Sequence, residues 1–292
     1  MLDLKDLHCL SALARHRHFA RAAEECGISQ PAFSMRIRKI EERLQTPIVK
    51  RGNRFQGLTD EGQMIVRHAR RIMDEVKSLE QELKSAKGEI TGSLVLGVIP
   101  TALAYAGRLL RVLNAQYPNV FVRIESATSL EIQQGIDDGT FDAGITYLDG
   151  AALDLMRVDA LYDETYVLVA PTAIAPRTSG PVTWAEAADL PLCLLERGMQ
   201  NRRILDQTFA DAGVRPQVVA ETSAFTTALV LAIEGGCATI VPDNLVEAFH
   251  GFHDTVALPL IQPVQEKTVC LMSAVREAGL PALAALRTVA LM

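Results

Sequence analysis

Residues 19–41 read Phe19-Ala20-Arg21-Ala22-Ala23-Glu24-Glu25-Cys26-Gly27-Ile28-Ser29-Gln30-Pro31-Ala32-Phe33-Ser34-Met35-Arg36-Ile37-Arg38-Lys39-Ile40-Glu41. The alanines over Phe19–Cys26 predict a short helix that neighbours can approach closely, and Gly27 stops it by taking a left-handed backbone. Ser29 carries an N-cap side chain, and Pro31 stands in a first helical turn, where its missing N–H costs nothing. Phe33, Ile37, Ile40 and Leu44 are spaced by 4, 3 and 4, the buried stripe of a third helix ending near Leu44. Upstream, Leu4, Leu7, Cys9, Leu10, Leu13 and Ala14 predict a first amphipathic helix over 3–15. Helix, tight glycine turn, helix is the geometry that lays a second helix into the DNA major groove.

The start and exposed faces of that third helix carry Ser29, Gln30, Pro31, Ser34, Met35, Arg36, Arg38 and Lys39. Gln30 can pair bidentately with adenine and Arg36 with guanine, while Ser34 and Lys39 suit phosphates. Beyond Pro47, Ile48-Val49-Lys50-Arg51-Gly52-Asn53-Arg54-Phe55 predicts a hairpin turning on Gly52-Asn53. It would be a wing that sets Lys50, Arg51 and Arg54 along the phosphate backbone. A basic three-helix unit could also serve protein contacts; the adjoining wing favours DNA.

These segments resemble the N-terminal signature of LysR-type transcriptional regulators. The resemblance is carried by Phe19 to Glu24, Ile28 to Ser34, Ile37 to Glu41, Arg51 and Leu58-Thr59-Asp60-Glu61-Gly62, in order and spacing. Gln45 stands where that family usually has Gly, Val49-Lys50 where it has Phe-Glu, and Met35 where Arg is frequent. The resemblance implies a winged helix-turn-helix on promoter DNA, a linker-helix dimer and a dimer of dimers, with RNA polymerase as a further candidate partner.

From Asp60 to about Lys87 the sequence predicts one helix, capped by Thr59. Ile65, Ala69, Ile72, Val76, Leu79 and Leu83 repeat at alternating 4 and 3, a heptad seam suited to a partner helix. Packing on its own domain is the alternative. Lys87-Gly88-Glu89 marks the passage to the second part. There, Leu94–Ile99, Val120–Glu125 and Phe141–Tyr147 alternate with helices, a parallel βαβαβ half. A second half follows, with strands at Tyr166–Ala170, Leu192–Leu195, Val218–Ala220 and Ala238–Val241. Lys267–Ala274 and 280–291 are expected to rejoin the first half.

Two open α/β lobes bind ligands in the crevice at the carboxyl ends of their strands. Pro100, Thr101, Thr128, Ser129, Tyr147, Met199, Gln200, Asn201, Arg202 and Thr222 stand at those ends and are the candidate effector residues. Helix N-termini at Thr101 and Ser129, completed by Arg202 or Arg203, would suit a carboxylate or oxyanion. Gly139-Thr140-Phe141-Asp142-Ala143-Gly144-Ile145 and Gly235-Gly236-Cys237-Ala238-Thr239-Ile240-Val241-Pro242 resemble landmarks of the LysR effector domain. That implies a periplasmic-binding-protein-like fold with a small inducer in its cleft.

Composition agrees with this division. The 292 residues are 49% hydrophobic and 22% charged, which excludes disorder and a disulfide scaffold. The net charge of -6 hides two opposed parts: residues 1–88 hold 17 Lys+Arg against 12 Asp+Glu, and residues 89–292 hold 12 against 23. A basic front on an acidic body places the polyanion contact at the front. Cys9, Cys26, Cys193, Cys237 and Cys270 are scattered without C-x-x-C spacing and read as reduced thiols. Met1 to Leu7 lacks the apolar segment of a secretory leader, and Pro100 breaks the uncharged stretch Ile90–Gly107, so a cytoplasmic protein without a membrane span is expected. His16-Arg17-His18 reads as phosphate-proximal or solvated.

No nucleophile elbow, P-loop or zinc-hydrolase motif is present, so no catalytic residue, metal or cofactor is expected. The expected architecture is α+β and multidomain. It comprises a winged helix-turn-helix over 1–58, a linker and dimerisation helix over 59–88, and a two-lobed α/β effector domain over 89–292. Lobe I takes about 89–162 and 267–292, and lobe II about 163–266. The expected function is effector-modulated, sequence-specific transcription regulation. A solute-binding protein is the alternative, disfavoured by the basic front; an enzyme lacks its constellation.

Overall fold

The structure, a computed structural model, describes residues 2–50, 55–85, 89–148, 156–178, 180–248, 254–275 and 280–292. Three helices open the chain: α1 (Leu4–His16), α2 (Phe19–Glu25) and α3 (Gln30–Leu44). Ser29 caps α3, its Oγ accepting from Ala32 N. Phe33, Ile37 and Ile40 turn inward against Leu7, Leu10 and Leu13 of α1. After α3 the chain doubles back: Lys50 N donates to Gly57 O, Thr59 N donates to Ile48 O, and Val49 bridges Leu58. These contacts form the base of the expected wing. Its tip, with Arg51 and Arg54, lies outside the described residues. Glu41 of α3 fastens the wing, its Oε1 accepting from Ile48 N at 2.7 Å and Val49 N at 3.0 Å.

The linker helix α4 (Asp60–Ser85) is capped by Thr59, whose Oγ1 accepts from Gly62 N at 2.9 Å. Its first half differs from the expected seam. Ala69, with Val66, is buried in the same core as α1, and Ile65 packs against that core. A side chain buried within its own module cannot also face a second copy, so Ala69 is withdrawn from the dimer stripe and Ile65 joins the domain core. Farther along, Ile72, Leu79 and Leu83 are 46%, 58% and 60% exposed, and Val76 is half-buried. The outward stripe therefore starts about two turns later than the sequence spacing indicates.

Lobe I holds β1 (Gly92–Val98), β2 (Val120–Ser126), β3 (Ala143–Tyr147), β4 (Met156–Glu164) and β11 (Lys267–Ala274), in the sheet order β2-β1-β3-β11-β4. The first three are mutually parallel; β11 runs antiparallel to both β3 and β4. Lobe II has the order β6-β10-β5-β9-β7-β8, built from β5 (Tyr166–Pro171), β6 (Val182–Thr183), β7 (Pro191–Leu195), β8 (Gln217–Thr222), β9 (Ala238–Pro242) and β10 (Thr255–Ile261). The sequence pattern had no strand for β4, β6 or β10. β4 and β10 alternate exposed, intermediate and buried positions, which blurs the apolar run that marks a strand.

Helices α5 (Leu103–Gln116), α6 (Ser129–Asp138) and α11 (Pro281–Ala290) cover lobe I, and α7 (Trp184–Ala188), α8 (Gln200–Asp211), α9 (Phe225–Ile233) and α10 (Asp243–Ala248) belong to lobe II. Helix α6 sits very close to its sheet. A Cβ at Gly135 would overlap the Phe141 ring, and one at Gly144 would overlap Ile132. Each lobe has its own hydrophobic core of Leu, Ile, Val and aromatic side chains, and Ile204 of α8 packs against both.

Gln45 ends α3 with φ of 52°, in the left-handed region. A β-carbon there costs about 1–2 kcal/mol, and the backbone N–H bonds to the Glu41 and Glu42 carbonyls are ones that glycine would make equally. Gln45→Gly is expected to stabilise the protein by about 1 kcal/mol, after the greater flexibility of Gly in the unfolded chain is deducted. Urea unfolding checks it; a loss of stability would show that the Gln45 side chain contributes more than its strain.

Candidate DNA interface and effector cleft

Ser29, the cap of α3, and Gln30, Pro31, Met35, Arg38 and Lys39 along it are exposed, and Ser34 is half-buried. Gln30 Nε2 donates to Ser34 Oγ at 3.0 Å, which holds the amide along the helix face. Lys50 is exposed at the wing base. Arg36 is different. Its Nε donates to Asp6 Oδ1 at 2.8 Å and its Nη2 to Asp3 Oδ1 at 3.0 Å. Asp6 is nearly fully buried and also accepts from Arg43 Nη1 at 2.9 Å. Hydrogen bonds to Arg36 help hold the Asp3 carboxyl below its usual range, after the larger effect of the Asp6 backbone N–H. Arg36 therefore clamps α3 to α1, and its expected role at guanine is corrected. His16 Nε2 meets Glu25 Oε2 at 2.6 Å, so that histidine joins α1 to α2.

Between the lobes lies a small chamber of about 30 Å³. Ile99 and Pro100, Thr101, Thr128, Ser129 and Tyr147 line it from lobe I, and Leu195, Met199, Gln200 and Asn201 from lobe II. Eight of the ten residues expected at the effector site are among them. At Ser129 and Gln200 the chamber adjoins a groove of about 560 Å³, lined by Gln133, Arg203, Gln207, Gln265 and Lys267 among others. Thr128 uses its hydroxyl in a capping box with Glu131. The Ser129 Oγ and the Asn201 Oδ1 are buried without a hydrogen-bond partner.

Two expected residues are elsewhere. Arg202 is 2% exposed; its Nη1 donates to Leu195 O at 2.7 Å and Glu221 Oε1 at 2.8 Å, and its Nε to Asp206 Oδ1 at 2.8 Å. Two carboxylates and a carbonyl thus occupy its fork, which removes it from an anion clamp. Thr222 Oγ1 accepts from Ala224 N at 3.2 Å, shaping the turn into α9.

Behind Tyr147 is a residue the sequence reading missed. Glu164 is fully buried where β4 passes into β5. Its Oε1 accepts from Tyr147 Oη at 2.6 Å and Tyr166 Oη at 3.3 Å, and its Oε2 has no partner. Tyr147 Oη lies 3.2 Å from Thr101 Oγ1, and Tyr166 Oη accepts from Asn201 Nδ2 at 3.5 Å. Both phenol protons point to Glu164, so Thr101 must donate to Tyr147 and Asn201 must present its Nδ2 to Tyr166. That leaves the Asn201 Oδ1 turned away from Tyr166. Burial pushes the Glu164 carboxyl up to about 7, against the lowering effect of the two tyrosines. A carboxylate at a lobe crossover between Tyr162 and Tyr166 was the available signal.

The family models settle the kinship. "Bacterial regulatory helix-turn-helix protein, lysR family" matches residues 4–63, and "LysR substrate binding domain" matches residues 87–291. The chain belongs to the LysR family. It is a LysR-type transcriptional regulator with a helix-turn-helix domain and an effector-binding domain. It is 30% identical to the DNA-binding transcriptional dual regulator OxyR of Escherichia coli K12, over 93% of this chain and 89% of that one. The RuBisCO operon transcriptional regulator of Allochromatium vinosum is 26% identical over 73% of this chain and 70% of its own. These relatives are regulators, not enzymes.

A cysteine-substituted full-length OxyR from Pseudomonas aeruginosa shares the fold with a TM-score of 0.79, at 24% identity over 99% of this chain and 94% of that one. Full-length CbnR complexed with its target DNA gives 0.69, at 20% identity over 99% of both. Among the described residues no His, Cys, Asp and Glu cluster could hold a metal, and no helix is long and apolar enough to cross a membrane. The five cysteines of this LysR-type chain form no disulfide, and none lines the chamber.

A folded Glu164 keeps its proton to about pH 7, whereas an unfolded glutamate releases it near 4.5. The native state then binds more protons in that window. Its contribution to stability is full below about 4.5 and is lost as pH rises to about 7, by about 1.4 kcal/mol per pH unit at most. Glu164→Gln is expected to flatten this slope in denaturant unfolding between pH 5 and 7.5. An unchanged slope would place the titration on another group.

Proposed function

We propose that this regulator reads promoter DNA through the exposed face of α3 and its wing, under control of a small effector held between the lobes. The observation that carries the reading is convergence. Side chains from distant stretches of both lobes meet around one chamber, where two buried polar atoms have no protein partner. Buried polar groups without partners are costly, so a ligand or water that satisfies them is stabilised there.

In this reading Ser29, Gln30, Pro31, Ser34, Met35, Arg38, Lys39 and Lys50 face DNA, with Arg51 and Arg54 at the wing tip. Ile72, Val76, Leu79 and Leu83 form the contact to a second copy, and pairs of dimers engage the promoter beside RNA polymerase. A 30 Å³ chamber admits a small polar head, not a bulky anion. The burial that keeps Glu164 protonated to about pH 7 equally disfavours an anion in the chamber, and Arg202 is already spent on Asp206 and Glu221. The carboxylate or oxyanion of the effector therefore belongs in the outer groove, beside Arg203. Relatives of this chain include hydrogen peroxide-inducible genes activators. A thiol sensor in the chamber has no cysteine to use.

Gel retardation on the gene's own upstream region is the direct test. Gln30→Ala is expected to relax discrimination at one base pair by about 1–3 kcal/mol. Lys39→Ala is expected to weaken binding to all sequences alike and to lower the salt slope by about 1. Absence of salt-sensitive binding by the wild type would overturn the reading. Leu79→Glu is expected to shift sedimentation from the oligomer to smaller species; an unchanged profile would remove the α4 stripe from the interface. A panel of small carboxylates is expected to raise the thermal midpoint of the wild type more than that of Arg203→Ala, and equal shifts would put the anion elsewhere.

A further inference from the structure

Helix α6 reaches from the effector chamber to the DNA-binding module. Ser129, its first residue, lines the chamber with an unpartnered Oγ. Asp138, its last residue, meets the linker helix. Ten residues span roughly 15 Å. At the far end, Arg70 Nη1 lies 2.9 Å from Asp138 O and 2.9 Å from Thr140 Oγ1, and it forms an ion pair with the Asp138 carboxylate. The Arg70 side chain is only 11% exposed. A cation on the last carbonyl of a helix is also favoured by the macrodipole.

Both ends of this connection are stiff. Arg70 follows Ala69, which is buried in the core shared by α1 and α4, so Arg70 moves with the winged helix. Helix α6 is seated on the lobe I sheet with glycines at the contact, where no added side chain fits at Gly135 or Gly144. Close-packed contacts of this kind transmit displacement instead of absorbing it. Arg17, Lys50 and Arg67 of the DNA-binding module also face Gln134 and Asp137 of α6 across a cleft of about 830 Å³.

We propose that α6 is a coupling rod, with the Arg70–Asp138 pair as its latch on the DNA-binding module. Occupancy of the chamber displaces the Ser129 end, and the Asp138 end resets the angle at which the winged helix leaves the sensor. The ligand contributes only its difference in affinity between the latched and reset arrangements. The inference rests on the reading that the chamber takes the effector, and it adds the route by which occupancy reaches DNA.

The test uses full-length protein, the operator found by footprinting the upstream region, and one half-site cut from it. Arg70→Ala is expected to change Kd on the intact operator at least about fivefold and to leave Kd on the half-site unchanged, because base reading by α3 is untouched. Asp138→Asn, which keeps an acceptor for Thr140, should act in the same direction, and Arg70→Lys should recover part of the wild-type value. Ser129→Val at the chamber end should also alter the ratio of the two Kd values, and should add nothing in the Arg70→Ala background. An unchanged ratio in Arg70→Ala, or additive effects of Ser129→Val and Arg70→Ala, would overturn the rod. Wild-type protein that binds no upstream DNA would instead overturn the regulator reading itself.

Discussion

One carboxylate oxygen accepts a hydrogen bond from each lobe: Glu164 Oε1 takes Tyr147 Oη from β3 and Tyr166 Oη from β5. It does so at the point where the chain crosses between the sheets. A carboxyl buried this deeply is costly to leave without hydrogen-bond donors, so the two tyrosines are tied to each other through it. Their remaining oxygen valences then dictate the orientation of Thr101 and Asn201. The polarity of the chamber wall follows from a residue that does not line the chamber.

The same logic of committed charges separates structural from functional arginines. Arg36 and Arg202 stand where the sequence marks ligand contacts, and Arg70 stands on the linker helix. In each, nearby carboxylates satisfy the guanidinium: Asp3 and Asp6, Asp206 and Glu221, Asp138. Arg36 fastens the reading helix, Arg202 braces lobe II beneath the chamber, and Arg70 joins the module to the sensor. In the proposed reading, exposed Arg38 and Lys39 are left for DNA and exposed Arg203 for an effector charge.

The linker helix has two halves with different duties. Its first turns complete the hydrophobic core of the winged helix through Val66 and Ala69. Later turns expose Ile72, Leu79 and Leu83. A helix anchored in this way cannot swivel independently of α3, so any change in its direction re-aims the DNA-binding face. The contact of α4 with α6 and α11 brings that direction under the influence of lobe I.

Local chemistry determined what the sequence showed by itself. The cap at Ser29, the apolar spacing from Phe33 to Leu44 and the strand-helix alternation are each set by neighbours within a few residues. Eight chamber residues were legible for a similar reason: in an α/β lobe the cleft collects whatever stands at strand ends. Tertiary structure decided the rest. Which face of Ala69 is inward depends on α1, 50 and more residues upstream. Whether Arg36 and Arg202 are free depends on acids that folding brings beside them, Asp6 and Glu221. The chamber's acidity depends on Glu164, which lacks a motif and gains its property only through burial between two tyrosines distant in the sheets. Periodicity encodes which residues are buried, but partner choice for a charge is a property of the folded packing alone.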